Sequence, residues 1–316
     1  MEAPASIWAT ARRVRHTATE SVPLEGAPNP AGGATPAPTI AEAFTFTGGA
    51  AGWELAVEPD LPSEVRAFYS ARSAAAPQRS TAPLVSCIMP TFDRRSFVPQ
   101  SVHYFLRQDY PAKELVIVDD GPEPVNDLLP TDSRIVYHRL KARTVLGAKR
   151  NLACELASGS IIVHWDDDDW ASPERVSVQV AALNRGDADI CGVASLLYYD
   201  PASSSAWRFT WPDGHRQWAA GASLCFAKEL WTRSPFPDVA IGEDLRFVFS
   251  PAVRRVADVR AAACIVGIIH RRNTAPKSVR GVHWSRRPIR EVADLLGEDM
   301  AFYRGAEAAA RGFTSR

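Results

Sequence analysis

Residues 160–173 read SIIVHWDDDDWASP, and the order within this stretch decides the fold. Ser160 to Trp165 is an apolar run of strand length. It stops at four consecutive aspartates, Asp166 to Asp169. Ser172, Pro173 and Glu174 then have the look of a helix start, with Ser as N-cap, Pro at the first helical position and Glu in the first turn. Val176, Val180 and Leu183 supply an apolar stripe to that helix. Strand, acidic turn and helix in succession put four carboxylates at the carboxyl end of one strand.

Working outward, the same alternation recurs upstream. Val85 to Met89 is a buried strand ending at Pro90. Val98, Val102, Phe105 and Leu106 share one helix face. Glu114 to Val118 is a second strand, stopped by Asp119-Asp120-Gly121, and Ile135 to Leu140 a third. Leu146 to Ala157 is helical, with Gly159 as its expected C-cap. Alternating strands and helices predict an α/β fold: a mixed, mostly parallel sheet flanked by helices. Ligands in such sheets bind beyond the carboxyl ends of the strands. Pro90-Thr91, Asp119-Asp120 and the four aspartates would meet at that edge.

Crowded carboxylates either raise their pKa values or bind a cation. The alternative for this run is a solvated loop or helix capping, but Ser172 is expected to serve as the cap, and Trp165 and Trp170 flank the run. An EF-hand loop starting at Asp166 fails, with Ala171 at its sixth position and Ser177 at its twelfth. A hard-cation site is the better reading, with Mg²⁺ or Mn²⁺ bridging one or two carboxylates to a diphosphate. Asp119-Asp120-Gly121 is either a strand-ending turn or an acceptor of hydrogen bonds from a ribose or base. Neither Gly-rich phosphate motif, G-x-G-x-x-G or G-x-x-x-x-G-K-[ST], occurs, which disfavours a dinucleotide-dependent dehydrogenase or a P-loop enzyme.

The 316 residues hold 36 Lys plus Arg and 36 Asp plus Glu, so nothing in the net charge calls for a nucleic-acid partner. The longest apolar run, Ala261 to Ile269, is strand-sized, so no transmembrane segment is expected. The five cysteines are scattered and form no C-x-x-C pair; they read as core thiols in a reducing compartment. With no apolar signal-peptide core at the start, the cytoplasm is the expected location. Residues 1–40 are Pro/Ala-rich and read as disordered or loosely attached. Residues 41–83 read as a small extension: strands carrying Phe44, Phe46, Trp53, Leu55 and Val57, a short helix in 62–71, and a linker. Residues 84–285 form the main domain and 286–316 a helical tail.

Pro90-Thr91-Phe92, then ELVIVDDG over 114–121, GAKRN over 147–151 and WDDDDWASP over 165–173 resemble, in this order and spacing, the family 2 glycosyltransferases. The resemblance spans about Leu84 to Asn273. It implies the GT-A fold and inverting transfer of a sugar from a nucleotide-diphosphate donor, most readily a UDP-sugar, to an acceptor that no feature names. Thr91 and Phe92 would border the base. Asp120 would accept a hydrogen bond from the pyrimidine, with Asp119 behind it. Lys149 or Arg150 would lie near the base or phosphates. Asp166 and Asp168 match the family's D-x-D element, Asp166 facing the ribose and Asp168 the Mn²⁺ or Mg²⁺. Asp169 would assist and Asp167 fill the turn.

Glu243 and Asp244 are the downstream candidates for the family's acidic pair near the acceptor. They are either first-turn acids of a helix or the catalytic pair, with Asp244 as base. His270 would be a metal ligand or an exposed strand-end residue. Trp211 and Trp218 are candidate acceptor platforms, whereas Trp207 and Phe209 have the spacing of buried strand residues. Competing readings are a nucleotidyltransferase of similar α/β fold and a non-catalytic domain that binds a nucleotide or partner.

Overall fold

The structure, a computed structural model, describes residues 44–49, 52–57, 82–186, 188–259 and 264–312. The chain divides into two units, and the smaller holds residues 16–83. Within it, strands β1 (Phe44–Gly49) and β2 (Gly52–Val57) form the expected antiparallel hairpin, with Gly49 opposite Gly52. The helix expected in 62–71 and all of 1–40 lie outside the described residues.

In the larger unit, β3 (Val85–Thr91), helix α1 (Val98–Leu106), β4 (Lys113–Asp119), β5 (Ile135–Arg139), α2 (Leu146–Leu156) and β6 (Ile161–His164) follow in sequence. β3 and β4 are buried at every position and β6 throughout, as strands covered on both faces must be. β4 and β6 flank β3, β5 lies outside β4, and all four are parallel. Three further strands complete this sheet: β8 (Ile190–Gly192), β11 (Cys225–Ala227) and β12 (Val256–Asp258). β11 runs antiparallel to both β6 and β8, so the sheet is mixed but mostly parallel, as expected. The chain runs outward through β3, β4 and β5 and then returns to the other side of β3 with β6. That reversal makes the carboxyl ends of β3 and β6 the crevice where a ligand is expected.

A second sheet, not anticipated from the sequence, holds β7 (Trp170–Ala171), β9 (Ser195–Asp200), β10 (Ser205–Thr210), β13 (Ile265–Ile268) and β14 (Trp284–Arg287). Its order is β14-β10-β9-β13-β7. β6 ends the first sheet's contribution at His164 and β7 begins the second's at Trp170. The four aspartates therefore occupy the crossing between the two sheets.

Helices α3 (Arg175–Leu183), α4 (Lys228–Arg233) and α5 (Glu243–Val248) join these strands, and α6 (Arg290–Leu296) and α7 (Asp299–Gly312) close the chain. β14 crosses the boundary expected at residue 285, and Val292, Leu296, Met300 and Tyr303 are buried. Asp299 accepts from Arg107 Nη1 and Trp170 Nε1, each at 2.9 Å. The tail is thus tied to the end of the acidic run. No helix among the described residues is long and apolar enough to cross a membrane.

Two local expectations are corrected. Ser172 is not an N-cap: α3 begins at Arg175 with no side-chain cap, and Ser172 N donates to Cys264 O across the sheet edge. Gly159 is not the C-cap of α2, which ends at Leu156 with Ala157 extended. Gly159 is required where the chain passes β3, since a Cβ there would overlap Leu84 O and Ser86 N. All five cysteines are buried and free, as core thiols should be. Gly159→Ala should therefore lower the unfolding free energy by about 1–3 kcal/mol, as overpacking does. Urea denaturation measures this, and an unchanged midpoint would contradict the close approach.

Candidate active site

A cavity of about 510 Å³ opens at the crevice. Asp166 to Asp169, Lys149, Arg150, Glu243 and Asp244 all line it. Residues from β6–β7, α2 and α5 thus converge on one space, although up to 95 positions separate them in sequence, from Lys149 to Asp244.

The tryptophans anchor both ends of the acidic run. Trp165 is 1% exposed, its Nε1 donates to Ser101 Oγ at 3.0 Å, and its ring packs edge-on against Phe105. Trp170 Nε1 is fixed on Asp299. Between these anchors the carboxylates meet partners from three other elements. Arg94, in the loop after β3, has Nε 3.6 Å from Asp167 and Nη2 3.6 Å from Asp168. Arg150 Nη2 lies 3.4 Å from Asp166. His270 Nε2 is 2.9 Å from Asp168 Oδ2. Asp169 Oδ1 instead accepts from Ile268 N at 2.9 Å.

This compensation is incomplete. Burial, with the neighbouring Asp168 charge, pushes the Asp167 carboxyl up to about 7. Burial and the Asp168 and Asp166 charges hold Asp169 well above the usual carboxylate range. Burial opposes ionisation of Asp168 too, but the His270 hydrogen bond and the charges of His270 and Arg94 outweigh it, and Asp168 sits below its ordinary value.

Surplus negative charge from hard oxygen donors suits Mg²⁺ or Mn²⁺. Among the described residues no three His, Cys, Asp or Glu side chains converge as a ready-made cage. That matches a cation held by one or two carboxylates and completed by substrate phosphates and water. Asp168 and Asp166 are the residues that fit. His270 is less ready as a ligand. Its Nδ1 accepts from Arg272 N at 3.2 Å, which leaves the proton on Nε2, the atom facing Asp168. His270 is also no exposed strand end, because its ring stacks on Phe97 at 4.8 Å.

The residues expected around the nucleotide are partly set back. Phe92 lines the cavity under the Arg143 guanidinium, 3.2 Å from its ring centroid. Thr91, Asp119 and Asp120 are buried and do not line it. Asp119 shapes the loop after β4, accepting from Gly121 N at 2.8 Å, Val125 N at 3.2 Å and Tyr137 Oη at 2.8 Å. Asp120 pairs with Lys149 Nζ and accepts from Thr144 N, both at 2.7 Å. Lys149 also donates to Thr91 O at 3.1 Å, and burial lowers its pKa against the pull of Asp120.

On the other side, Gly242 takes a left-handed φ of 79° and turns the chain into α5. Glu243 is buried and pairs with Arg150 Nε at 3.1 Å; burial raises its pKa, with Arg150 opposing. Glu243 is thus held as a structural partner, while Asp244 is the member with a less buried carboxylate on the cavity wall. Asp244 sits against Gly221, where any side chain would overlap its carboxylate. Trp218 lines the cavity and Trp211 stacks on it at 4.9 Å, away from the wall. Trp207 and Phe209 are half-buried, not core, because β10 has one face toward Trp218 and Trp284.

Sequence reasoning missed Arg94, which lies within ion-pair distance of two aspartates, and Tyr198 and Lys277 on the cavity wall. No periodicity or motif marks them, since each reaches the site only through the second sheet or a loop.

Arg150→Met should strand Glu243 without its partner and cost about 3–5 kcal/mol, the usual penalty for an uncompensated buried charge. Adding Glu243→Gln should recover much of that loss in urea unfolding. A double variant no more stable than Arg150→Met would mean the pair is not coupled.

The model for glycosyl transferase family 2 matches residues 86–228. Among curated proteins, WcaA of Escherichia coli strain K12, named for glycosyl transfer in colanic acid biosynthesis, is 38% identical over 104 residues, 31% of this chain and 37% of that one. TuaG of Bacillus subtilis strain 168, named for teichuronic acid biosynthesis, is 32% identical over 103 residues, 31% of this chain and 41% of that one. The match with these curated relatives spans about two fifths of their length. Among solved structures, S. aureus TarS 1-349 in complex with UDP-GlcNAc aligns with a TM-score of 0.49 at 15% identity, over 60% of each chain. The mannosyltransferase PcManGT of Pyrobaculum calidifontis, in complex with GDP-Man and Mn²⁺, aligns with a TM-score of 0.49 at 18% identity, over 67% of this chain and 66% of that one. The matched residues 86–228, which resemble glycosyl transferase family 2, hold the parallel strands of the first sheet and the acidic crossing at their ends.

Proposed function

We propose that this protein transfers a sugar from a nucleotide-diphosphate sugar to an acceptor hydroxyl, with inversion and with a divalent cation, Mn²⁺ or Mg²⁺. One observation carries this: a single cavity is lined both by the undercompensated acidic run and by the less buried carboxylate of Asp244. Inversion by single displacement needs those two poles and no protein nucleophile between them.

Phe92 and Arg143 receive the nucleotide, and UDP is the preferred nucleoside diphosphate because the resemblance favours it. Lys149, locked on Asp120 and Thr91 O, fixes the strand ends beneath it. Asp168 and Asp166 hold the cation, which when bound supplies charge neutralisation for the departing diphosphate. Arg150 keeps Asp166 and Glu243 in register. Asp244 accepts the proton of the acceptor hydroxyl as its oxygen attacks the anomeric carbon. Trp218, backed by Trp211, offers a flat face to the acceptor. The five buried thiols suit a reducing compartment, and the cytoplasm is the proposed location.

Asp244→Asn tests the assignment. Transfer should fall by about 10²–10⁴-fold, the usual contribution of a general base, while titrations with UDP- and GDP-sugars in Mn²⁺ show donor affinity unchanged. Normal turnover by the variant would remove Asp244 from the base role.

A further inference from the structure

Tyr198 is a residue that the proposed chemistry has not used. It lies in β9 and is only 9% exposed, yet it lines the cavity. Among the described residues its hydroxyl makes no hydrogen bond, so the phenol is left to the cavity. A polar group that opens on a cavity without a protein partner is placed to bond a ligand there.

Its position is built, not incidental. The ring lies across Gly267 of β13, its direct partner in the parallel register. A Cβ at Gly267 would overlap the ring edge at Cε1 and Cδ1. Trp284 packs on the ring at 4.9 Å, and Lys277 Nζ lies 5.8 Å from its centroid. Burial first, and then the charges of Asp169, Asp166 and Asp244, hold the phenol protonated. The ring shares the cavity wall with the acidic run and with Asp244.

We propose that the Tyr198 hydroxyl is a substrate contact that binds the transferred sugar of the donor, with Gly267 as the seat that aims it. This rests on the donor reading above. The sugar must lie between the acidic run and Asp244, because its anomeric carbon is attacked by the oxygen that Asp244 deprotonates. A neutral phenol among carboxylates suits a sugar hydroxyl, which both donates and accepts. It suits a phosphate poorly, since a neutral phenol offers an anion one hydrogen bond and no opposite charge. The diphosphate belongs instead with the cation at Asp166 and Asp168, beside Arg143.

Calorimetric titration in Mn²⁺ with UDP, GDP, UDP-glucose, UDP-N-acetylglucosamine and GDP-mannose tests this on the full chain. Tyr198→Phe should weaken the tightest nucleotide sugar by about three- to tenfold, the range of one neutral hydrogen bond. The matching free nucleoside diphosphate should bind as before, which also reports that the variant is folded. Gly267→Ala, which displaces the ring, should produce the same sugar-selective loss. Equal losses for the nucleotide sugar and the free diphosphate would overturn the sugar contact, as would no loss in either variant. If the wild-type chain bound none of the five, the donor reading would fall, and this contact with it.

Discussion

Four adjacent carboxylates in a buried crossing cannot stand without cations brought from elsewhere, and much of the site follows from meeting that need. Trp165 and Trp170 fix the ends of the crossing in the core, so the aspartates cannot swing into solvent. Arg94 from the loop after β3 and Arg150 from α2 supply the compensation, and His270 after β13 adds a hydrogen bond to Asp168. Removing one partner of such a buried pair is costly, whereas a fully matched set contributes little net stability. The set here is undermatched, as the raised pKa values of Asp167 and Asp169 record. Residual negative charge in a cavity at strand ends is what a divalent cation would offset.

The two cations of α2 divide the work. Lys149 and Arg150 are consecutive and so point about 100° apart around the helix. Lys149 reaches Asp120 at the end of β4, and Arg150 reaches Asp166 and Glu243. One helix thereby ties the end of β4, the acidic run and the helix bearing Asp244 into a single framework. Glu243 and Asp244, adjacent in sequence, separate in the same way: one is held by Arg150, the other lies on the cavity wall.

The parallel half of the fold was legible because it rests on local pattern. The strands from Val85, Glu114, Ile135 and Ser160, and the helices between them, lie where apolar runs and helical spacing put them. The acidic run was legible for the same reason, as a charge cluster ending a strand. The second sheet was not, since β7 is two residues long and β13 pairs with β9 across some seventy positions. Ser172 and Gly159 were misread because each has a local signature that a tertiary contact overrides: Cys264 O takes the Ser172 amide, and β3 crowds Gly159. Arg94 and Tyr198 carry no signature, because their roles exist only once distant strands meet.

The central claim is that Asp166 to Asp169 form the pole at which a divalent cation and a nucleoside diphosphate bind together. Electron paramagnetic resonance of Mn²⁺ titrated into the protein, with and without UDP or GDP, measures this directly. Protein-bound Mn²⁺ should rise sharply when the nucleoside diphosphate is present, and Asp168→Asn should abolish that rise. Mn²⁺ binding indifferent to both nucleotides, or unchanged by Asp168→Asn, would contradict it.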